Sequence, residues 1–481
     1  MSLKVYNFLT RQKETFTPLH EGKVSLYVCG PTVYDNSHIG HAKTYVNFDV
    51  IARYLRYLGY DVLYVQNITD VGHMLDTGED KVLRKARQMS ALPMQVVETY
   101  TRSYFADMDA LGVQRPDISP RASGHIPEQI EMIQTLIDKG HAYEVDGSVY
   151  FDVASFPEYG KLSGRTVDDQ AEGSRITTRE EKRHPADFAL WKKADPEHIM
   201  RWPSPWGEGF PGWHIECSAM ANKYLGPTFD IHGGGLENMF PHNECEIAQS
   251  EAAHDGQPFA RHWLLVGSLT LDGIKMSKSL GNTLTIADAL TRWPAEGIRT
   301  FILSSHYGSP IDFSDEAIEA AYKGWQRIWG AARLLRQQMG QAPDGAAGDA
   351  VKELVEQTRK AFVEKMNDDF NAPAALAVLQ EYTRQVNTLV NEQGSLSQGS
   401  LKALDDLYRE LGGKILGIIP GEDAGSASAE REAGLVQLLI ELRAAARANK
   451  DWATSDKIRD QLKELGIILE DRPDGTVWKT T

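Results

Sequence analysis

The chain has 481 residues, of which 42% are hydrophobic and 25% charged, and its formal net charge is −16 at pH 7. This length predicts about three or four domains, and the acidic balance argues against nucleic-acid binding through bulk charge. Three cysteines in so long a chain favour reduced thiols over a disulfide framework. We expect a cytoplasmic protein without membrane contact, because no signal peptide or run of ~18 apolar residues is visible.

The stretch from residue 23 to residue 58 predicts a strand, a loop and a helix. Residues 23–29 alternate apolar and polar positions, as a strand on a core does. After the loop, the helical face carries Phe48, Ile51, Leu55 and Leu58 before Gly59 ends the helix. A second strand over 61–67 completes a βαβ unit whose helix begins next to two histidines, where free amides and the helix dipole favour phosphate.

The rest of the chain predicts an α/β fold: a Rossmann-like parallel-sheet catalytic domain split by an insertion, then an α-helical bundle and a small C-terminal α+β module. Strand character returns at 228–231, is interrupted by the glycines at 233–235 and resumes over 262–271. Glycine, serine and alanine over 420–430 predict a linker. The expected boundaries are 1–110 for the first Rossmann half, 111–205 for the insertion, 206–270 for the second half with a metal site, 271–315 for a linking region, 316–420 for the bundle and 421–481 for the last module.

A short histidine motif starts the first predicted helix. Imidazoles at a helix N-terminus, here His38 and His41, can donate to phosphate oxygens whose charge grows in a transition state. Gly40 between them would let a nucleotide approach the backbone closely. In the simpler alternative, the two histidines are ordinary polar groups at a helix start. The strand that precedes the motif favours the phosphate site.

A lysine loop follows the last predicted strand of the sheet. Lys275 and Lys278 stand three positions apart, with Ser277 and Ser279 beside them. A solvated basic loop is the simpler alternative, but such a segment also suits a mobile clamp for a triphosphate, in which an ammonium neutralises the leaving pyrophosphate. The two motifs, on opposite halves of one predicted sheet, together favour a nucleotide site.

Three sulfur and nitrogen side chains are candidate zinc ligands on their chemistry alone. Cys29, Cys217 and His242 lie beside the predicted nucleotide loop or the glycine turn, and thiolate and imidazole suit zinc. Their long separations carry no spacing signal, and a buried unligated thiol is the alternative for each cysteine.

The histidine and lysine motifs resemble the signature pair of class I aminoacyl-tRNA synthetases, and nearly the whole chain is similar to the cysteinyl-tRNA synthetases. The segments that carry the narrower resemblance are Tyr27–Tyr34, Asn67–Asp70, Trp213–Ser218, Asp230–Gly235, Phe240–His242 and Asp368–Asn371.

The resemblance implies ATP-dependent activation of cysteine, with Mg²⁺ on the phosphates, and transfer of the cysteinyl group to the 3′ end of tRNA(Cys) by a protein we expect to be a monomer. It implies that one zinc ion selects the substrate thiolate and that residues 421–481 read the anticodon. The implied zinc ligands are Cys29, Cys217, His242 and Glu246, and the implied amino-acid contacts are Gly30, Thr69 and Trp213. A core aromatic remains the alternative for Trp213, and a solvated helical tail the alternative for the last module.

Two departures from the family pattern affect this transfer. Around the shared glutamate, where the family usually has a second histidine and then an asparagine, this chain has the run Asn243–Glu246. Cys245 and Glu246 stand three and four positions after His242, so on a helix either could face the metal. Glu246 is preferred because a third protein thiolate would weaken zinc as a Lewis acid. Gly308 stands where the resemblance predicts arginine, which removes one possible contact with RNA or nucleotide.

Three other functions are compatible with parts of the pattern. A cysteine ligase acting on a small amino sugar would share the zinc and adenylation sites but would not use the module at 421–481. A non-catalytic tRNA-binding paralogue would not need the intact histidine and lysine motifs. A zinc-binding redox protein would have reactive thiols and no requirement for ATP.

Overall fold

The computed structural model describes residues 2–73, 80–166, 182–196, 198–276, 283–392, 396–420, 426–472 and 475–480. The strands are β1 (Lys4–Asn7), β2 (Gln12–Thr15), β3 (Lys23–Val28), β4 (Asp61–Gln66), β5 (Ala142–Val145), β6 (Ser148–Phe151), β7 (Phe188–Lys193), β8 (Gly209–Pro211), β9 (Phe229–Gly235), β10 (Ala260–Val266), β11 (Leu269–Leu271), β12 (Ile274–Lys275), β13 (Ile311–Phe313), β14 (Ile467–Arg472) and β15 (Gly475–Thr480).

The α-helices are α1 (Ile39–Tyr57), α2 (Lys81–Met89), α3 (Pro93–Ala110), α4 (Ile126–Asp138), α5 (Ile215–Leu225), α6 (Glu244–Ala253), α7 (Ile286–Arg292), α8 (Ala295–Leu303), α9 (Asp315–Met339), α10 (Asp349–Met366), α11 (Ala372–Glu392), α12 (Gln398–Leu407), α13 (Ser426–Ala448) and α14 (Trp452–Glu464). Short 3₁₀ helices span Ala122–His125, Val153–Ser155 and Leu236–Asn238, and wider π-type turns span Met239–Asn243 and Tyr408–Ile415. Among the described helices none is long and apolar enough to cross a bilayer.

A four-stranded parallel sheet contains the predicted βαβ unit. Its order is β10-β9-β3-β4, and α1 connects β3 to β4. The chain therefore leaves β3 towards one side and later returns as β9 on the other side. In open α/β sheets the crevice beyond the carboxyl ends of two such strands is where ligands bind.

The glycines at 233–235 continue β9, so the predicted interruption is wrong. A side chain at Gly233 would begin 2.3 Å from the ring of Phe48 on α1, and the carbonyl of Gly233 accepts a 2.9 Å hydrogen bond from the backbone of Cys29. The strand uses glycine because α1 packs too closely for a side chain there. The single strand predicted over 262–271 is instead β10 and β11, since Gly267 donates to Tyr307 between them.

The insertion forms a second, antiparallel sheet of order β5-β6-β7-β8, with α4 preceding it. Its last strand, Gly209–Pro211, follows the boundary predicted at residue 205. A three-stranded sheet of order β12-β11-β13 comes after β10. The first strand of the lysine loop region, β12, is therefore held against β11 rather than against the main sheet.

Helix α9 has one buried apolar face. On α9, Ile318, Trp325, Ile328 and Leu335 are buried, as the helical spacing requires. Together with the parallel sheet and the α+β tail, this arrangement confirms the predicted fold class.

Residues 420–481 form a separate compact unit. Its helix α13 begins at Ser426, so the linker predicted over 420–430 is wrong from that residue onward. A small cluster of Val436, Ile440, Leu462 and Ile467 forms its core, and β14 pairs with β15 as an antiparallel hairpin.

A buried ion pair joins α1 to α8. Arg299 Nη2 lies 2.6 Å from Asp49 Oδ2, and the two side chains are 1% and 0% exposed. The guanidinium also donates to the carbonyls of Leu111 and Leu416, and Asp49 accepts from Arg53 on its own helix. Buried charges of this kind persist because each has several partners.

Replacing Arg299 by methionine is expected to lower the free energy of unfolding by about 3 kcal/mol, since the Asp49 carboxylate stays buried with one cation fewer. Urea unfolding followed by tryptophan fluorescence measures the effect. The matched control is Arg102→Met, which breaks an exposed pair with Glu98 at the solvent surface and should leave the transition midpoint unchanged. Equal shifts in both variants would contradict a special role for the buried pair.

Candidate active site and metal centre

Four metal-binding side chains converge at the carboxyl end of the parallel sheet. Cys29 follows β3, Cys217 lies in the first turn of α5, His242 in the π-type turn after β9, and Glu246 in the first turn of α6. One ligand atom from each lies within 4.8 Å of the others, and all four residues are buried. Two sulfurs, an imidazole and a carboxylate could therefore hold one metal ion.

Cys245 lies outside this cluster. Its sulfur is 3.4 Å from the hydroxyl of Tyr159, and burial raises the pKa of its thiol well above the usual range. Glu246, one position further along α6, instead brings Oε1 to 2.9 Å from Nε2 of His242. The structure thus groups Glu246, rather than Cys245, with the two other cysteines.

Three polar residues that have no role predicted from the sequence orient the cluster. His232 Nε2 lies 2.6 Å from Glu246 Oε2, and Asn243 donates to Glu246 Oε1 at 3.0 Å. His214 Nδ1 is 2.9 Å from Nδ1 of His242. Such contacts fix the direction of metal ligands before an ion arrives. His214 and His232 stand within the segments that carry the family resemblance, which is the signal that could have found them.

The protonation of the cluster is set by its own members. The hydrogen bond between the two thiols lowers the pKa of Cys217 to about 6 and raises that of Cys29 well above its usual value. Burial disfavours the imidazolium of His242, but the charges of Glu246 and Cys217 outweigh it and raise its pKa to about 10. Burial likewise opposes ionisation of Glu246, yet His232 and His242 hold its pKa below the ordinary range.

The predicted histidine motif forms the start of α1. His38 is the N-cap, and its Nδ1 accepts from the backbone of Gly40 at 3.2 Å, while Nδ1 of His41 accepts from the backbone of His38 at 3.1 Å. The two rings stack with centroids 3.9 Å apart. Because both Nδ1 atoms accept, the neutral rings carry their protons on Nε2.

The described ends of the lysine loop lie against this histidine motif. A side chain at Gly40 would begin 3.1 Å from the terminal methyl of Met276, and Ile39 donates to the carbonyl of Leu284 at 3.0 Å. Residues 277–279, which include the predicted Ser277, Lys278 and Ser279, lie outside the described residues, as does the side chain of Lys275. Their contact with a nucleotide stays a prediction.

The predicted amino-acid contacts surround the same crevice. Gly30 has no room for a side chain, since its first carbon would begin 1.5 Å from the carbonyl oxygen of Asn67. The amide of Asn67 donates to the hydroxyl of the buried Thr69 at 3.1 Å. Trp213 is partly exposed, and its ring lies 4.5 Å from that of His242, which places it beside the cluster. Binding of an amino acid by these residues stays a prediction.

Gly308 is not required by packing. A side chain there would begin 3.6 Å from His306 and 3.7 Å from Phe8, which is ordinary contact. The consequence of lacking an arginine at this position stays a prediction.

Most of the chain matches models of known protein families. Family models match residues 15–323 as a tRNA synthetases class I (C) catalytic domain, residues 361–420 as a DALR domain and residues 435–478 as a cysteinyl-tRNA ligase anticodon binding domain. The chain is 51% identical to cysteine-tRNA ligase of Chlorobaculum tepidum, with 99% of each chain covered. This chain belongs to the cysteinyl-tRNA synthetases.

The enzyme is therefore a cysteine-tRNA ligase of class I, and the family resemblance drawn from the sequence is confirmed. It is also 49% identical to the ligase of Deinococcus radiodurans, over 99% of this chain and 97% of that protein, and 48% identical to that of Thermus thermophilus, over 100% and 99%. The anticodon-domain match covers the module that an amino-sugar ligase would not use.

Solved structures show the same fold at low identity. The Mycobacterium tuberculosis methionyl-tRNA synthetase in complex with methionyl-adenylate has a TM-score of 0.60 at 17% identity, covering 83% of this chain and 92% of that chain. The Agrobacterium radiobacter K84 LeuRS in a ternary complex has a TM-score of 0.60 at 13% identity, covering 83% and 85%. At these identities the similarities concern the fold alone.

Two cysteine variants test the ligand set. Cys217→Ala should abolish stoichiometric metal binding, because it removes a donor from the cluster, whereas Cys245→Ala, the matched control on α6, should retain one metal ion per chain. Elemental analysis of the purified proteins after dialysis measures both. Loss of metal from Cys245→Ala with retention in Cys217→Ala would show that the cluster has been misassigned.

Proposed function

We propose that the enzyme charges tRNA(Cys) in two steps. The carboxylate of cysteine attacks the α-phosphorus of ATP, the bond from that phosphorus to the bridging oxygen of pyrophosphate breaks, and cysteinyl-adenylate forms. The 3′-terminal ribose hydroxyl of tRNA(Cys) then attacks the activated carbonyl and AMP leaves. The observation that carries this proposal is the convergence of a sulfur-rich metal cluster and a capped histidine motif at the carboxyl end of one parallel sheet.

The donor set fits zinc better than a hard cation. Cys29, Cys217, His242 and Glu246 supply two sulfurs, one nitrogen and one oxygen, and sulfur and imidazole favour zinc over Mg²⁺ or Ca²⁺. Zinc, when bound, would hold the substrate sulfur as a thiolate, which a serine hydroxyl could not match at neutral pH. A purely apolar pocket separates near-isosteres by only about 10²-fold, so a metal removes the need for an editing domain.

The histidine motif serves the phosphoryl step through hydrogen bonding. His38 and His41 hold their protons on Nε2, as their Nδ1 contacts require, and would donate them to oxygens of the α-phosphate as negative charge develops. Phosphoryl transfer needs positioning and charge neutralisation rather than a protein nucleophile. No side chain is assigned to covalent attack.

The lysine loop would neutralise the departing pyrophosphate. Lys275 and Lys278 supply positive charge together with Mg²⁺ on the phosphates, and Ser277 and Ser279 would add hydroxyl contacts to the nucleotide. The described residues on either side of this loop already contact the start of α1. This contact supports a role for the two lysines at a nucleotide bound at the histidine motif.

The crevice beside the cluster would bind the amino acid. Gly30 and Thr69 would contact its backbone groups, and the ring of Trp213 would lie against it. Gly40 would allow the nucleotide close to α1. Residues 421–481 would read the anticodon, and we expect the enzyme to act as a monomer in the cytosol.

Cysteine-dependent exchange of pyrophosphate into ATP tests the adenylation step. The purified enzyme should catalyse exchange with cysteine, and replacing cysteine by serine should slow it by more than about 10³-fold, since serine offers no thiolate. Removal of metal with a chelator should abolish exchange, and added Zn²⁺ should restore it. Equal exchange with serine, or full activity without metal, would contradict the assignment of the metal to amino-acid selection.

The variant His38→Asn separates the proposed hydrogen-bond donation by His38 from its role as the N-cap of α1. Asparagine is a good N-cap, so the helix should keep its stability, while exchange should fall by about 10²-fold because the Nε2 donor is lost. Thermal denaturation and the exchange rate at saturating substrates are measured on the same preparation. An unchanged rate would rule out donation by His38.

A further inference from the structure

His73 joins Trp213 to two other segments of the crevice. The rings of His73 and Trp213 stack with centroids 4.1 Å apart and planes at 16°. Trp213 in turn contacts His242 of the metal cluster, with centroids 4.5 Å apart. The three rings therefore form a continuous aromatic contact from the cluster to the segment that follows β4.

The ring of His73 is held at both nitrogens. Nδ1 lies 2.6 Å from the hydroxyl oxygen of Thr32, and Nε2 lies 2.6 Å from Nζ of Lys81. A lysine ammonium only donates, so Nε2 accepts and the ring proton sits on Nδ1, from which it is donated to Thr32. Burial lowers the pKa of His73 well below its usual value, and the charge of Lys81 lowers it further, so the ring stays neutral.

These contacts tie the histidine to the loop after β3 and to the start of α2. Thr32 forms a backbone bridge with Thr69, and the backbone of Lys81 donates to the carbonyl of His73 at 3.0 Å. A ring fixed in position and tautomer gives the indole of Trp213 one preferred plane. Trp213 is partly exposed, and a side chain that must settle into one rotamer on binding costs affinity.

We propose that His73 is a positioning residue for cysteine selection: it holds the indole of Trp213 in the plane that forms one wall of the amino-acid pocket beside the metal cluster. The inference rests on the proposed function, because it takes Trp213 as a wall of that pocket. It assigns His73 to substrate affinity rather than to the chemical step. Loss of His73 should therefore weaken the binding of the amino acid and leave the binding of ATP at the histidine motif unchanged.

Steady-state exchange kinetics on three variants test this role. His73→Ala should raise the KM for cysteine by about tenfold, the factor expected for a lost aromatic contact, with kcat, the KM for ATP and the metal content unchanged. His73→Phe keeps a flat ring for stacking but loses both hydrogen bonds, and should raise the KM for cysteine by about threefold. The matched control is His198→Ala, because His198 stacks on Phe210 at the same 4.1 Å in the insertion, and its kinetics should equal those of the unaltered enzyme.

The outcomes separate this inference from the proposed function. If the unaltered enzyme supports no cysteine-dependent exchange, the proposed function fails. If it does, and His73→Ala leaves the KM for cysteine within twofold or raises the KM values for cysteine and ATP together, the role of His73 is overturned. Should His73→Ala fail to fold, His73→Phe decides, and an unchanged KM for cysteine in that variant overturns the inference as well.

Discussion

The pairing of β3 with β9 is the constraint on which the candidate site depends. These strands come from opposite sides of a long insertion and meet in parallel, with Val28 opposite Gly233. Parallel strands end at the same edge of a sheet, so Cys29 emerges beside the chain that leads to His242. The close approach of Phe48 to Gly233 keeps α1 tight against the sheet at this point. Without this pairing, the sulfur of Cys29 and the carboxylate of Glu246, 217 positions apart, would have no reason to meet.

Burial gives the cluster its chemical character. Charges removed from water are tolerated only when they are paired and hydrogen-bonded, and here the imidazole of His242 lies between the carboxylate of Glu246 and the thiolate of Cys217. A metal ion that binds such a site displaces protons from its ligands. Contacts from His214, His232 and Asn243 hold the ligands in place in the folded chain.

Local patterns in the sequence predicted local structure well and tertiary contacts poorly. The βαβ unit follows from periodicity, and it is observed. The glycines of β9 were misread because their crowding by Phe48 is invisible in sequence. Spacing on a helix could not decide between Cys245 and Glu246, which differ by about 100° around the axis. In the fold, the sulfur of Cys245 contacts the hydroxyl of Tyr159, whereas the carboxylate of Glu246 lies in the cluster. The role of His73 depends on four residues that the fold alone brings together, so no motif pointed to it.

The imidazole of His38 both caps α1 and is oriented by that cap. The same nitrogen that ends the loop and begins α1 also fixes which edge of the imidazole carries hydrogen, and His41 repeats this one turn later. Helix nucleation is the costly step in forming such an element. Here the hydrogen bonds of the first turn of α1 also orient both rings. The direction of the two imidazoles is therefore not a separate adjustment of loose side chains; it is set by the backbone amides at the point where the chain becomes helical.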